Sequence, residues 1–132
     1  MPNTADEWLT VAEERGRDAA ALKGYPRELA AIYMMGYVVE CHLKAYLRSR
    51  NAADDWRGRA GHDLLALWEN CGFKRLDVSG NRRLFLDNWA TDLRYEKELG
   101  TRGDFDSLFN GAIDLVGYVQ KCRRRKACRR RK

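Results

Sequence analysis

Glu40 is a lone carboxylate in the helical segment Tyr33 to Leu47, Y-M-M-G-Y-V-V-E-C-H-L-K-A-Y-L. Leu29, Ile32, Tyr33, Gly36, Leu43 and Leu47 recur at spacings of three and four, so they share one side of a helix, and Glu40 falls on that side four residues after Gly36. A carboxylate taken out of water without a partner costs several kcal/mol or is forced to protonate, so a cation is expected against it. Lys44, one turn on, and Arg94, in L-R-Y-E, are the candidates. Paired with Lys44 on a partly wet surface, Glu40 would contribute a few tenths of a kcal/mol. Reaching Arg94 or Tyr95 across the fold, it would instead orient the arginine towards a groove where a phosphate or a partner's acid could bind.

His62 and Asp63 open a second apolar run, G-H-D-L-L-A-L-W, where they suit either helix capping or ligand binding. His42 lies off the Glu40 face with Val38, Val39 and Tyr46, on a stripe suited to core or to a dimer surface. Trp56, Trp68, Trp89 and the tyrosines are spread over several helices without interleaved cations, which suits packing better than base stacking. Gly36 suits a close helix contact. Four cysteines (Cys41, Cys71, Cys122 and Cys128) without a C-x-x-C pair, and only two histidines, suggest neither a disulfide framework nor a zinc site. No metal or cofactor is implied. With no apolar run near the ~20 residues of a membrane span and no secretion pattern at the N-terminus, a soluble, cytoplasmic protein with reduced thiols is expected.

The elements that must position these residues are helices. Apolar spacing, caps and breakers divide the chain of 132 residues into one all-α domain, an up-and-down bundle of about five helices with a short third one. The spacing predicts helices over Ala5 to Lys23, Pro26 to Arg50, and from near His62 to Gly72. A fourth is predicted over Asn81 to Arg94, burying Leu84, Phe85, Trp89 and Leu93. The fifth starts at Asp104 and buries Phe105, Leu108, Phe109, Ile113, Val116 and Val119.

The bundle spans residues 1–120, and residues 121–132 form a basic tail expected to be disordered. The tail carries Lys121, Arg123, Arg124, Arg125, Lys126, Arg129, Arg130, Arg131 and Lys132, nine of the 25 basic residues, and no acid. The 16 basic and 19 acidic residues that remain give the body a net charge of −3, although the whole chain is +6. Such a tail is solvated, or contacts phosphates with an affinity that falls steeply with salt, or contacts an anionic membrane.

Taken in order, G-Y-V-V-E-C-H-L-K-A-Y-L, G-H-D-L-L-A-L-W and W-A-T-D-L-R-Y-E resemble the HEPN domain family, whose members show an E-x-x-x-K-A-x-L helix, an H-D-L helix start and an R-Y dipeptide. The resemblance covers about Ala5 to Val119. It implies a helical bundle, often a homodimer, that binds a nucleotide, pairs with a small nucleotidyltransferase in a toxin–antitoxin-like arrangement, or cleaves RNA without metal. The ribonucleases carry an arginine followed, after four to six residues, by a histidine. Arg94 matches the arginine, but Glu98, Leu99 and Gly100 stand where the histidine would fall. Arg57 and His62 have the spacing, yet they precede the third helix in an arginine-rich stretch, which reads as coincidence. The resemblance therefore implies a non-catalytic nucleotide-binding or protein-interaction module using Glu40, Lys44, His62, Asp63, Arg94 and Tyr95. One alternative is a ribonuclease in which His62, Tyr95 or Glu96 replaces the missing histidine beside Arg94. The other is nucleic-acid binding through the basic tail.

Overall fold

Three of the helices begin where the sequence supplies a side chain to accept their first N–H groups. In a computed structural model describing residues 2–24, 27–50, 62–74 and 78–130, with side chains through 125, Thr4 accepts the Glu7 N–H at 3.1 Å and Glu7 accepts the Asn3 N–H at 3.0 Å. This reciprocal cap starts α1, Ala5–Gly24. The second helix, α2, is Glu28–Ser49. Asp63 accepts the Ala66 N–H at 3.1 Å and starts α3, Leu64–Asn70. After α4, Gly80–Asn88, Asp104 accepts the Ser107 N–H at 2.7 Å and starts α5, Phe105–Arg130. Two short 3₁₀ helices, Thr91–Tyr95 and Gly100–Arg102, link α4 to α5. Among the described residues there is no strand, so the chain is an all-α bundle. Arg57 and Trp56 lie outside the described residues, as do Arg131 and Lys132.

The central element is α2, which packs against α1, α3 and α5 and is buried along most of its length. Its apolar side chains meet Trp68, Leu67, Phe85, Leu93, Leu108 and Leu115 in a single core. Trp8 near the start of α1 lies over Lys44 near the end of α2, so the two helices run antiparallel. Gly111 in α5 sits where a Cβ would collide with the Asn81 carbonyl, which brings the first turn of α4 hard against α5. The stripe containing Val38, His42 and Tyr46 is buried, so it is core within this chain.

Three sequence expectations are corrected. The predicted fourth helix does not reach Arg94. It stops at Asn88, and Trp89 (φ −80°, ψ 134°) and Ala90 (φ −155°, ψ 160°) are extended before the first 3₁₀ helix. The break aims the Trp89 indole at Gly36, where a Cβ would overlap the ring, and its Nε1–H donates to the Tyr33 carbonyl at 3.1 Å. Gly36 thus admits an indole and not, as expected, a neighbouring helix. The third correction is Ile113, which is 48% exposed, because α5 meets its neighbours along Leu108, Ala112, Leu115 and Val119 and Ile113 lies off that stripe. The backbone of α5 runs on through the basic segment to Arg130, consistent with the good helix propensity of Lys and Arg and the favourable placement of cations near a helix C-terminus.

Gly36→Ala is expected to destabilise the fold by about 1–3 kcal/mol through overpacking against Trp89. The readout is a lower urea midpoint at unchanged slope. Gly16→Ala, where a Cβ meets nothing within 4 Å, is the control and is expected to stabilise α1. Burial, and then the charge of Arg123, push the His42 imidazole from its ordinary 6.5 down to about 4. The unfolded chain therefore takes up this proton before the folded one does. Stability is full above 6.5 and expected to fall as pH drops from there to about 4, by up to about 3 kcal/mol. Unfolding free energies measured across that range should show the slope, and His42→Gln should flatten it.

Candidate functional site

Glu40 sits in the bundle interior with both carboxylate oxygens engaged. Oε2 accepts from the Lys44 ammonium at 3.2 Å, and Oε1 meets His62 Nδ1 at 2.6 Å. The Glu40 and Lys44 side chains are each 4% exposed. The i,i+4 pair expected from the sequence forms, but it is buried instead of partly wet. Lys44 also places its ammonium 4.8 Å from the centre of the Trp8 ring, so α1 covers the cation.

Asp63 is spent on capping α3, which fixes the backbone next to His62 and lets the imidazole return to α2. A carboxylate paired with an ammonium is an acceptor, so His62 donates from Nδ1 and its Nε2 lies outside this contact. His62 is 38% exposed and borders a cleft of about 270 Å³ lined by Asp63, Leu64, Leu86, Trp89 and Asp92.

Towards the start of α2, the Tyr33 and Tyr37 hydroxyls lie 2.8 Å apart. The Tyr37 ring stands edge-on to His62 at 5.9 Å and to Trp89 at 5.5 Å. Burial, then the hydrogen bond to Tyr33, raise the Tyr37 phenol well above its ordinary 10.0, so it stays protonated. Arg94 meets this end of the line and not Glu40. Its guanidinium lies 4.8 Å from the centre of the Tyr95 ring, and hydrogen bonding first to Tyr95 and then to Tyr33 raises its pKa. Both residues are exposed, Tyr95 by 76%. Arg102 anchors the segment that carries them, donating to the Asn88 carbonyl at 2.8 Å and lying within 3.7 Å of Asp92 and 3.5 Å of Glu96.

The structure therefore joins Glu40, Lys44 and His62 directly, and brings Arg94 and Tyr95 to them through Tyr33 and Tyr37. The sequence reads all three rings as packing, which holds for the buried Trp89, whereas the Tyr33 and Tyr37 hydroxyls also join the polar line. The available signal was the spacing of Tyr33, Tyr37, Glu40 and Lys44 by four, three and four, one stripe of α2. Cys41, beside this stripe, is not a reactive thiol, since burial and then Glu40 push it up to about 12. Among the described residues no three His, Cys, Asp or Glu side chains group as metal ligands, and no helix is long and apolar enough to cross a membrane.

Chemically, the face offers an imidazole oriented through its Nδ1 contact and a charged guanidinium beside an exposed aromatic ring. The first suits a hydrogen-bonding polar group of a ligand. The second suits a phosphate with a base or another planar group nearby. Comparison of the chain with protein-family models, with curated proteins and with solved structures returned no match.

Glu40→Ala leaves Lys44 buried and unpaired and is expected to cost about 3–5 kcal/mol. The double change Glu40→Leu with Lys44→Met is expected to recover most of that loss, because it removes both charges. Urea unfolding of the single and double variants measures the difference.

Proposed function

We propose that the chain is a non-catalytic HEPN-type module that binds a nucleotide or a short RNA segment along the face running from Arg94 to His62. The observation that carries the reading is the buried Glu40 carboxylate holding His62 by Nδ1 while Arg94 stands charged at the other end of the same polar line. Arg94 takes the phosphate, Tyr95 lies against the base, and His62 Nε2 accepts from a sugar hydroxyl or an exocyclic amine. Glu40 and Lys44 act behind His62 as positioning residues, with Asp63 holding the helix start. The resemblance to HEPN domains extends the proposal to a homodimer and to a nucleotidyltransferase as protein partner. Among the described residues, Cys41 and Cys122 are free thiols, which supports a reducing, cytoplasmic setting.

The His62–Glu40 contact also favours a second reading, a metal-independent ribonuclease. An imidazole backed by a carboxylate is the arrangement of a general base, and here it would act on a 2′-hydroxyl while Arg94 stabilises the phosphorane charge.

One assay separates the two. Labelled RNA and nucleoside monophosphates are incubated with the intact protein, with His62→Ala and with Arg94→Ala, in chelator. Retention without cleavage is expected, weakened about tenfold or more by either substitution, as for loss of one charge-assisted or buried hydrogen bond. Cleavage abolished by His62→Ala in a folded variant would establish the ribonuclease. Equal binding by all three proteins would remove the Arg94–His62 face from consideration.

A further inference from the structure

The bundle joins an acidic body to one strongly basic helix end. Residues 1–120 carry a net charge of −3, whereas residues 121–130 carry Lys121, Arg123, Arg124, Arg125, Lys126, Arg129 and Arg130 with no acid. All of these fall inside α5, which continues without a break from the packed core. Lys121, Arg124 and Arg125 are exposed, and their spacing of three and four puts them on one stripe of the helix. Arg123 is only partly exposed, and its charge reaches the buried His42 of α2, so this turn is backed by the bundle. Arg82 of α4 lies 5.6 Å from the centre of the Tyr118 ring, adding a cation one turn before Lys121. The result is a row of cations preset on a rigid element.

We infer that this row, with Lys121, Arg124 and Arg125 as its exposed contacts, binds the sugar–phosphate backbone of nucleic acid at a surface separate from the Arg94–His62 face. One turn of helix from Lys121 to Arg125 rises about 6 Å. Along a duplex strand, phosphates recur about every 3.4 Å of axis, so this turn faces two consecutive phosphates. The remaining residues of 121–130 are Cys122, Ala127 and Cys128. Cations crowded at this density meet phosphates whatever the bases, so the contact is to backbone and independent of sequence. Nor does the segment hold a Trp, Phe or Leu to enter a lipid interface, which sets it apart from membrane-surface helices. The inference stands on α5 and not on the proposed ligand of His62.

The test is fluorescence anisotropy with the full chain and two labelled nucleic acids of unrelated sequence, one single-stranded RNA and one duplex DNA, over a salt series. The triple variant Lys121→Gln, Arg124→Gln, Arg125→Gln removes the charge while keeping good helix formers. The intact protein is expected to bind both ligands with similar affinity. The triple variant should lose about tenfold or more at low salt, and its slope of log affinity against log salt should shrink by about 2–3, near 0.9 per lost contact on duplex and 0.7 on a single strand. The triple variant should retain nucleoside monophosphates as the intact protein does, which separates this surface from the Arg94–His62 face. An unchanged slope in the triple variant, or no binding by the intact protein, overturns the inference. So does binding to anionic phosphatidylserine vesicles that depends on the same three residues while nucleic-acid binding does not.

Discussion

The constraint on which the rest of the bundle depends is a buried carboxylate that must be shared between two partners. Glu40 lies on the most buried helix, where water cannot solvate it, and its two oxygens are met by Lys44 from the same helix and His62 from the approach to α3. The first contact is local and would form in any helix with this spacing. The second ties together residues 22 positions apart and so fixes where the chain after α2 returns. Buried ion pairs add little net stability over apolar residues of equal volume, but they penalise every packing that leaves one member alone. Here the pair selects an arrangement in which Trp8 covers the ammonium and α3 begins beside α2.

A second constraint follows the first along α2. Gly36 leaves a gap one turn before Glu40, and the Trp89 indole fills it. An aromatic ring can enter from the side only if the backbone delivering it leaves the helical path, and the extended Trp89 and Ala90 do so. The carbonyl freed at Asn88 is met by Arg102, which returns from the next turn of chain. Packing and site geometry are therefore one event. The break that buries Trp89 also exposes Arg94 and Tyr95 and sets the guanidinium near Tyr33.

Charge is distributed with the same economy of elements. Among the described residues the buried charged side chains are the Glu40–Lys44 pair beside the His62 ring, and burial and then the charge of Arg123 lower the pKa of the His42 imidazole. The excess positive charge of the chain is concentrated at one end of α5, away from the acidic remainder. Such separation gives the molecule a strong electrostatic direction, a property of association and not of the fold itself.

The all-α class, the number of helices, the cap at Asp63, the start of the fifth helix at Asp104 and the need of Glu40 for a cation were legible in the sequence, because each depends on neighbours within one or two turns. Lys44 as partner followed from i,i+4 geometry alone. The role of His62 as second partner did not, since nothing local distinguishes a histidine beside a cap from one that reaches a distant helix. For the same reason Tyr33 and Tyr37 read as packing alone, and Arg94 read as an alternative to Lys44 instead of a separate end of the polar line. The periodicity of Phe85, Trp89 and Leu93 correctly marked buried positions but carried a helix through a break, because burial spacing reports which residues turn inward and not how the backbone gets them there. The sequence by itself determined which segments are helical and which charges had to be paired. Only the tertiary structure decided with whom, since the indole meeting Gly36 and the imidazole meeting Glu40 both come from parts of the chain whose approach is set by packing across the bundle.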